Sequence, residues 1–259
     1  MMQRIWNTAY AAVIGTSHIN KGQPCQDSAG CRVLQSTECT EFLLMVVADG
    51  AGSASRSEFG ASLTVERFLS HFGALCTHDS AIEKIDREYV INWLESLKSE
   101  IVEQASLESI HPREFSCTIN GAIIGPEYGF FLQIGDGAIV VSEEETNEYG
   151  YIFWPQHGEF ANQTHFLFQE NISETLEFVC IQKKFDRLAL FSDGLERLIL
   201  DFSSRSVHPP SLDSIFKWLQ KCSENEAPST ALATYLNSDF INRRTDDDKS
   251  LVMAVSAIP

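Results

Sequence analysis

Asp49, Asp136 and Asp193 each stand where a run of mostly apolar residues stops, and each is followed by glycine. Phe42 to Ala48 runs into Asp49-Gly50-Ala51-Gly52, Tyr128 to Ile134 into Gly135-Asp136-Gly137, and Arg187 to Phe191 into Ser192-Asp193-Gly194. The first run is too short to cross a membrane and suits a buried strand. Two more acids stand in front of strand-like runs: Asp27 precedes Cys31 to Leu34, and Asp247 precedes Leu251 to Val255. In an antiparallel arrangement the end of one strand lies beside the start of its neighbour, so all five carboxylates can share one edge. An all-parallel sheet would split them between two edges. Asp-Gly is also a common turn dipeptide, and for any single acid that reading weighs equally; five acids so arranged make coincidence the weaker account.

Carboxylates crowded on one edge repel, and in an apolar setting some would have to take up a proton. Divalent cations remove that difficulty. Oxygen ligands without accompanying Cys or His favour Mg²⁺ and Mn²⁺ over Zn²⁺. A glycine after each acid lets backbone approach an ion closely, with the Gly50 carbonyl as a candidate ligand. Two such ions can hold and deprotonate a water for in-line attack on phosphorus.

The elements that must position these acids emerge from residue type and period. Trp6 to Ile14 reads as a strand, and Gly15 to Ser28 as a loop. After Ala54 the period becomes helical: Ser55 and Glu58 form the pattern of a capping box, with Phe59, Leu63, Phe68, Leu69 and Phe72 on one face. Val90, Trp93, Leu94, Leu97 and Ile101 mark a second helix, which Pro112 stops. Two consecutive helices without a strand between them favour α+β over an alternating α/β chain. Strands over Phe115 to Ile124 and Gly129 to Ile134 flank a hairpin turn, and another begins at Ala138. Glu143-Glu144-Glu145 reads as a solvated turn. Residues 150–171 mix Trp154, Gln156, His157, Asn162, Thr164 and His165 without a clear period. Strands at 175–181 and 187–191 come next, then a short helix from Leu195, a Ser/Pro-rich loop with Pro209-Pro210, helices marked by Leu212, Ile215, Phe216 and Leu219 and by Leu232, Tyr235 and Leu236, and a closing core strand from Leu251.

The chain has 259 residues, is 44% hydrophobic and carries a formal net charge of −17. That charge argues against nucleic acid or an anionic membrane as partner and suits a protein that gathers carboxylates around cations, although a merely acidic, soluble surface explains most of those charges at least as well. Seven cysteines without a Cys-x-x-Cys pair offer neither a zinc site nor a disulfide framework, and Cys117 and Cys180 read as core residues. No signal-peptide core and no long apolar run occur, so a reduced cytoplasm is expected. No linker or repeat divides the chain, and residues 1–259 are expected to form one domain.

The ordered motifs Gln26-Asp27-Ser28, Val47-Ala48-Asp49-Gly50-Ala51-Gly52, Ile134-Gly135-Asp136-Gly137, Phe191-Ser192-Asp193-Gly194-Leu195 and Asp247-Asp248-Lys249-Ser250-Leu251 resemble those of the metal-dependent PP2C-type serine/threonine protein phosphatases, particularly their bacterial branch. The resemblance spans residues 8 to 256. It implies a four-layer α-β-β-α sandwich with two central antiparallel sheets and a bimetal centre of Mn²⁺ or Mg²⁺ at one edge. It further implies that Asp49 bridges the ions with help from the Gly50 carbonyl, that Asp193 and Asp247 complete one ion's ligands, that Asp27 holds metal-bound water, and that Asp136 joins Asp193 at a third, looser site. Residues 150–171 fall where the family has a mobile flap. A phosphorylated protein is the implied substrate, and a serine/threonine kinase an implied partner.

Three departures stand out. Gln26 replaces the Glu that often precedes the first Asp. Ala51 stands where eukaryotic members place a His thought to act as general acid. Gly22 stands at the position of their phosphate-binding Arg, with His18 and Lys21 close enough in sequence to substitute, although His18 reads equally well as an ordinary loop histidine. The Asp246-x-Asp248-x-Ser250 triplet superficially fits haloacid-dehalogenase-like enzymes, but it lies too near the end of the chain to build that fold. A module that binds phosphoproteins without turnover is the alternative that the site residues argue against.

Overall fold

The computed structural model describes residues 5–82, 84–143, 146, 148–156, 164–168, 171–222 and 227–257. His157 and Asn162, and Glu144 and Glu145 of the acidic run, lie outside the described residues. In chain order the elements are β1 (Ile5–Val13), α1 (Thr16–Lys21), β2 (Ser28–Gln35), β3 (Glu41–Ala48), α2 (Ser57–Leu75), α3 (Asp79–Ile82), α4 (Arg87–Glu108), β4 (Ile119–Ile124), β5 (Gly129–Ile134), β6 (Ala138–Glu143) and β7 (Tyr149–Tyr151). Beyond them lie α5 (Ile172–Thr175), β8 (Glu177–Ile181), β9 (Phe185–Phe191), α6 (Glu196–Ile199), the short pair β10 (Leu200–Asp201) and β11 (Ser206–Val207), α7 (Pro209–Leu219), α8 (Pro228–Leu236), α9 (Asp239–Asn242) and β12 (Lys249–Ala257).

Two five-stranded sheets, ordered β1-β12-β9-β6-β7 and β2-β3-β4-β5-β8, pair antiparallel throughout. The uninterrupted apolar character of β3 reflects its place between layers. Leu43, Met45 and Val47 face the other sheet, where they pack with Ile139, Leu190 and Val252. The alternate residues Phe42, Leu44, Val46 and Ala48 face α2 and α4. A strand buried on both faces has no position left for a polar side chain. β12 repeats the pattern, with Val252 and Ala254 between the sheets and Leu251, Met253 and Val255 against Leu212, Phe216, Leu232 and Leu236 of α7 and α8. The result is the expected four-layer α-β-β-α order. In the helical layer over β3, Phe72 meets Trp93 edge-on at 4.9 Å, and α4 starts where Asp86 accepts the Tyr89 N–H at 2.7 Å, a side-chain N-cap.

Several local expectations are corrected. Residues 16–21 form α1 inside the segment read as loop, because a six-residue helix is too short to show a period and this one is held by bonds from the Gly15 and Ser17 N–H groups to Asp248 and Asp246. Ser55 does not cap α2: its N–H is donated to Glu114 at 2.8 Å, the N-cap position falls to Arg56, and Glu58 pairs with Arg56 instead of closing a box. Pro112 to Phe115 forms a 3₁₀ turn, so the strand begins at Ile119. Pro209 and Pro210 open α7 rather than lying in the loop before it, since a helix's first turn has no use for the N–H that proline lacks. Cys180 is exposed, because β8 is an edge strand, whereas Cys117 is buried as expected. All seven cysteines are free. Among the described residues, no helix is long and apolar enough to cross a membrane.

Candidate metal centre

The antiparallel registers bring the five acids to one end of the sandwich. Ser28 pairs with Ala48, which sets Asp27, just before β2, beside Asp49, just after β3. Phe191 pairs with both Leu251 and Ala138, so Asp193 after β9 lies at the same end as Asp247 before β12 and Asp136 before β6. Asp136 occupies the three-residue crossing from β5 in one sheet to β6 in the other. That crossing needs glycines: Gly135 has φ +119°, and a Cβ on Gly137 would stand 2.0 Å from the buried Asn120 amide. The Thr164 hydroxyl donates to Asp136.

The strand carrying Asp49 continues as an irregular edge. The Asp49 N–H is donated to Thr118 Oγ1 at 3.0 Å, the Thr118 N–H to the Asp49 carbonyl at 2.7 Å, and the Gly50 N–H to the Gln26 carbonyl at 3.1 Å. Gly50 is glycine for a packing reason as well, since a Cβ would stand 2.7 Å from that carbonyl and 2.8 Å from Ser57 Cβ.

Asp49, Asp136 and Asp193 each offer an oxygen within 4.8 Å of the others. Burial, then repulsion from Asp27, Asp193 and Asp136, raises Asp49 well above the ordinary carboxylate range. Asp193 is pushed up to about 7 by burial and then by Asp136 and Asp247. Asp27 also reaches about 7, chiefly through burial, even though the Ser192 hydroxyl donates to it at 2.7 Å and opposes the rise. Glu196 rises to about 7 from burial and the nearby Asp136. Without a cation these groups compete for protons; with one, their charges are neutralised in place. The donor set is all oxygen, and it fits a hard divalent ion. Asp247 is exposed, close enough to Asp193 to repel it.

Four residues to which the sequence assigns no role at the centre stand beside it. Asp248, Ser192, Glu196 and Lys249 all border the centre, and only the alternation of side chains along the approach to β12 could have marked Asp248 as buried beside exposed Asp247. His18 is buried, with Nδ1 2.8 Å from Asp248 Oδ2, so the structure turns it onto a carboxylate rather than toward a substrate. Lys21, at the end of α1, is exposed. Gln26 is buried, its Nε2 3.5 Å from the Ala54 carbonyl. A cavity of about 750 Å³ opens elsewhere, between α6, α7, α8 and α9, and none of the five acids lines it.

A carboxylate cluster at the mouth of two packed antiparallel sheets, flanked by helical layers, places a candidate metal site at the edge of an α-β-β-α sandwich. The model of the family Protein phosphatase 2C matches residues 14–237. Serine/threonine-protein phosphatase 3 of Escherichia coli (strain K12) is 30% identical over 254 residues, covering 97% of this chain and 99% of that protein. The fold is shared with Serine/threonine phosphatase Stp1 from Staphylococcus aureus, at TM-score 0.61 and 14% identity over 98% of this chain and 96% of that one. It is also shared with the catalytic domain of the serine/threonine protein phosphatase PstP in complex with two manganese ions, at TM-score 0.59 and 16% identity over 99% of this chain and all of that one. The chain belongs to the protein phosphatase 2C family, the metal-dependent phosphoprotein phosphatases.

Proposed function

We propose that this chain hydrolyses phosphoserine and phosphothreonine esters in proteins at the edge where Asp49, Asp136 and Asp193 meet. The observation that carries the reading is the convergence of their oxygens within 4.8 Å, in surroundings that hold Asp49 and Asp193 far above the usual carboxylate range. Mn²⁺ or Mg²⁺, when bound, supplies Lewis-acid polarisation of phosphoryl oxygens and acidifies a coordinated water. Asp49, Asp193, Asp247 and the Gly50 carbonyl would hold two ions, and Asp136 with Asp193 would hold a third. Asp27, fixed by Ser192, would orient water. Lys21 is the exposed cation of its loop that a substrate phosphate could meet. Ala51 has no proton to give, so the leaving oxygen must draw its proton from another group. Residues 1–259 would act as one catalytic unit, a reading supported by the core that both sheets share. The free cysteines suit the cytoplasm, and a serine/threonine kinase would supply the substrate.

The purified chain should hydrolyse para-nitrophenyl phosphate and a phosphothreonine peptide with Mn²⁺, stop on chelation, and lose turnover in Asp49→Asn and Asp193→Asn. Absence of turnover over a wide Mn²⁺ range, with retained phosphopeptide binding, would replace this reading with that of a binding module.

A further inference from the structure

Between β1 and β2 the chain makes an excursion that leaves at Gly15, forms α1 and returns at Gln26, and one side chain closes it at the base. Asp248 is 3% exposed. Its Oδ1 accepts the Gly15 N–H at 2.6 Å and its Oδ2 accepts the Gln26 N–H at 2.6 Å. His18 Nδ1 lies 2.8 Å from the same Oδ2, off the line of a good hydrogen bond. The Ser17 N–H is donated to the Asp246 carbonyl at 2.8 Å. Gly15 approaches this strand entry so closely that a Cβ would stand 2.2 Å from the Asp247 carbonyl carbon. Both ends of the excursion are therefore fastened to the segment that begins β12.

A carboxylate is a costly group to bury, and it is retained where each oxygen finds donors. Here the donors come from the two ends of one loop, and the second of them stands directly before the centre in the chain. Gln26, pinned through its N–H, offers its carbonyl to the Gly50 N–H at 3.1 Å. The next residue, Asp27, accepts from the Ser192 hydroxyl at 2.7 Å, and that hydroxyl accepts the Ser250 N–H at 3.0 Å. One continuous chain of bonds thus joins Asp248 to Asp27, to the turn after Asp49 and to the residue before Asp193. Lys249 is wholly buried beside it, its Nζ donating to Asn242 Oδ1 at 3.0 Å and to the Asp247 carbonyl at 3.2 Å, which fixes the backbone of the neighbouring acid.

We propose that Asp248 is a positioning residue: by pinning Gly15 and Gln26 it holds Asp27 and the Asp49-Gly50 turn in register for the metal ions, without ligating metal itself. The inference rests on the metal-dependent reading above. Partners that orient metal ligands carry measurable affinity, and their loss costs about 10–100-fold in metal binding.

The test is isothermal titration of Mn²⁺ into the metal-free full chain, alongside para-nitrophenyl phosphate kinetics across Mn²⁺ concentrations. Asp248→Ala should weaken Mn²⁺ binding by about 10–100-fold, leave KM for the ester unchanged and recover most of kcat at saturating Mn²⁺. Asp248→Asn, whose carbonyl can accept one N–H while its amide opposes the other, should fall between the two. If Asp248→Ala shows no cooperative melt, Asp248→Asn carries the test. Wild-type Mn²⁺ affinity in the folded variants would overturn the proposal, even if their melting temperature dropped, because that is the signature of a merely structural bond. Loss of kcat that saturating Mn²⁺ does not restore would overturn it too, in favour of direct participation. Failure of the parent reading is distinct: there the wild-type chain itself would neither bind Mn²⁺ nor turn over.

Discussion

Removing one charge from the centre should stabilise the metal-free protein while destroying its activity, and Asp193→Asn isolates that effect. The Asp193 carboxyl moves from its ordinary 3.8 to about 7 in the fold. Because the folded state holds its proton more tightly than the unfolded chain, the stability it contributes is full below about pH 4 and is lost as pH rises through about 7. At about 1.4 kcal/mol per pH unit the ceiling of this loss is about 4 kcal/mol. Asp49 and Asp193 lie close enough to share a hydrogen-bonded proton, and solvent reaches Asp193, so about 1–2 kcal/mol is the expected loss for this residue alone. The Asn amide keeps a donor toward Asp49 without the charge. For a chain of this size that corresponds to a melting temperature about 2–8 °C higher at pH 8. Thermal melts of both proteins in chelator at pH 5 and pH 8 measure it, with the gap expected to be wider at pH 8 than at pH 5, because the loss begins above the unfolded value and is complete only past about 7. A metal-free variant that melts at or below wild type at pH 8, or a gap of equal size at pH 5, would refute the reasoning.

Added Mn²⁺ should reverse the penalty in wild type, raising stability by about 2.7 kcal/mol at a hundredfold excess over Kd; melts of Asp49→Asn should show no such rise. Gly194→Ala would place a Cβ 1.9 Å from the Asp248 carbonyl oxygen, a backbone atom with little room to move, and should cost about 1–3 kcal/mol in urea unfolding together with phosphatase activity. Phe131, fully buried between the sheets and edge-on to Phe185 at 5.4 Å, should cost about 3–5 kcal/mol on truncation to Ala; calorimetry of the folded variant should find its Mn²⁺ affinity unchanged.

The elements that the sequence revealed are those whose side chains answer to one dominant demand. β3 could be recognised because both of its faces are buried, and α4 because Val90, Trp93, Leu94, Leu97 and Ile101 all face one core. Elements whose partners lie far away in sequence were hidden. α1 is stabilised by Asp246 and Asp248 at the other end of the chain, and the backbone leading into α2 is held by Glu114, which accepts the Ser55 and Arg56 N–H groups, rather than by a cap from Ser55. Edge position is likewise absent from a local pattern, so Cys180 on β8 looked like a core residue.

The same division runs through the centre. Sequence determined which acids end or begin core strands, and hence that Asp27, Asp49, Asp136, Asp193 and Asp247 can gather if the strands run antiparallel, because the place where an apolar run starts or stops is a local property of the hydrophobic pattern. Only tertiary structure decided that Asp136 sits on the crossing between the sheets and that His18 turns inward. It alone decided that Asp248, one residue from an exposed neighbour, is buried with a donor on each oxygen. The burial of Asp248 depends on which backbone N–H groups, more than 200 residues away along the chain, are left without a partner when the two sheets close, and no local pattern carries that information.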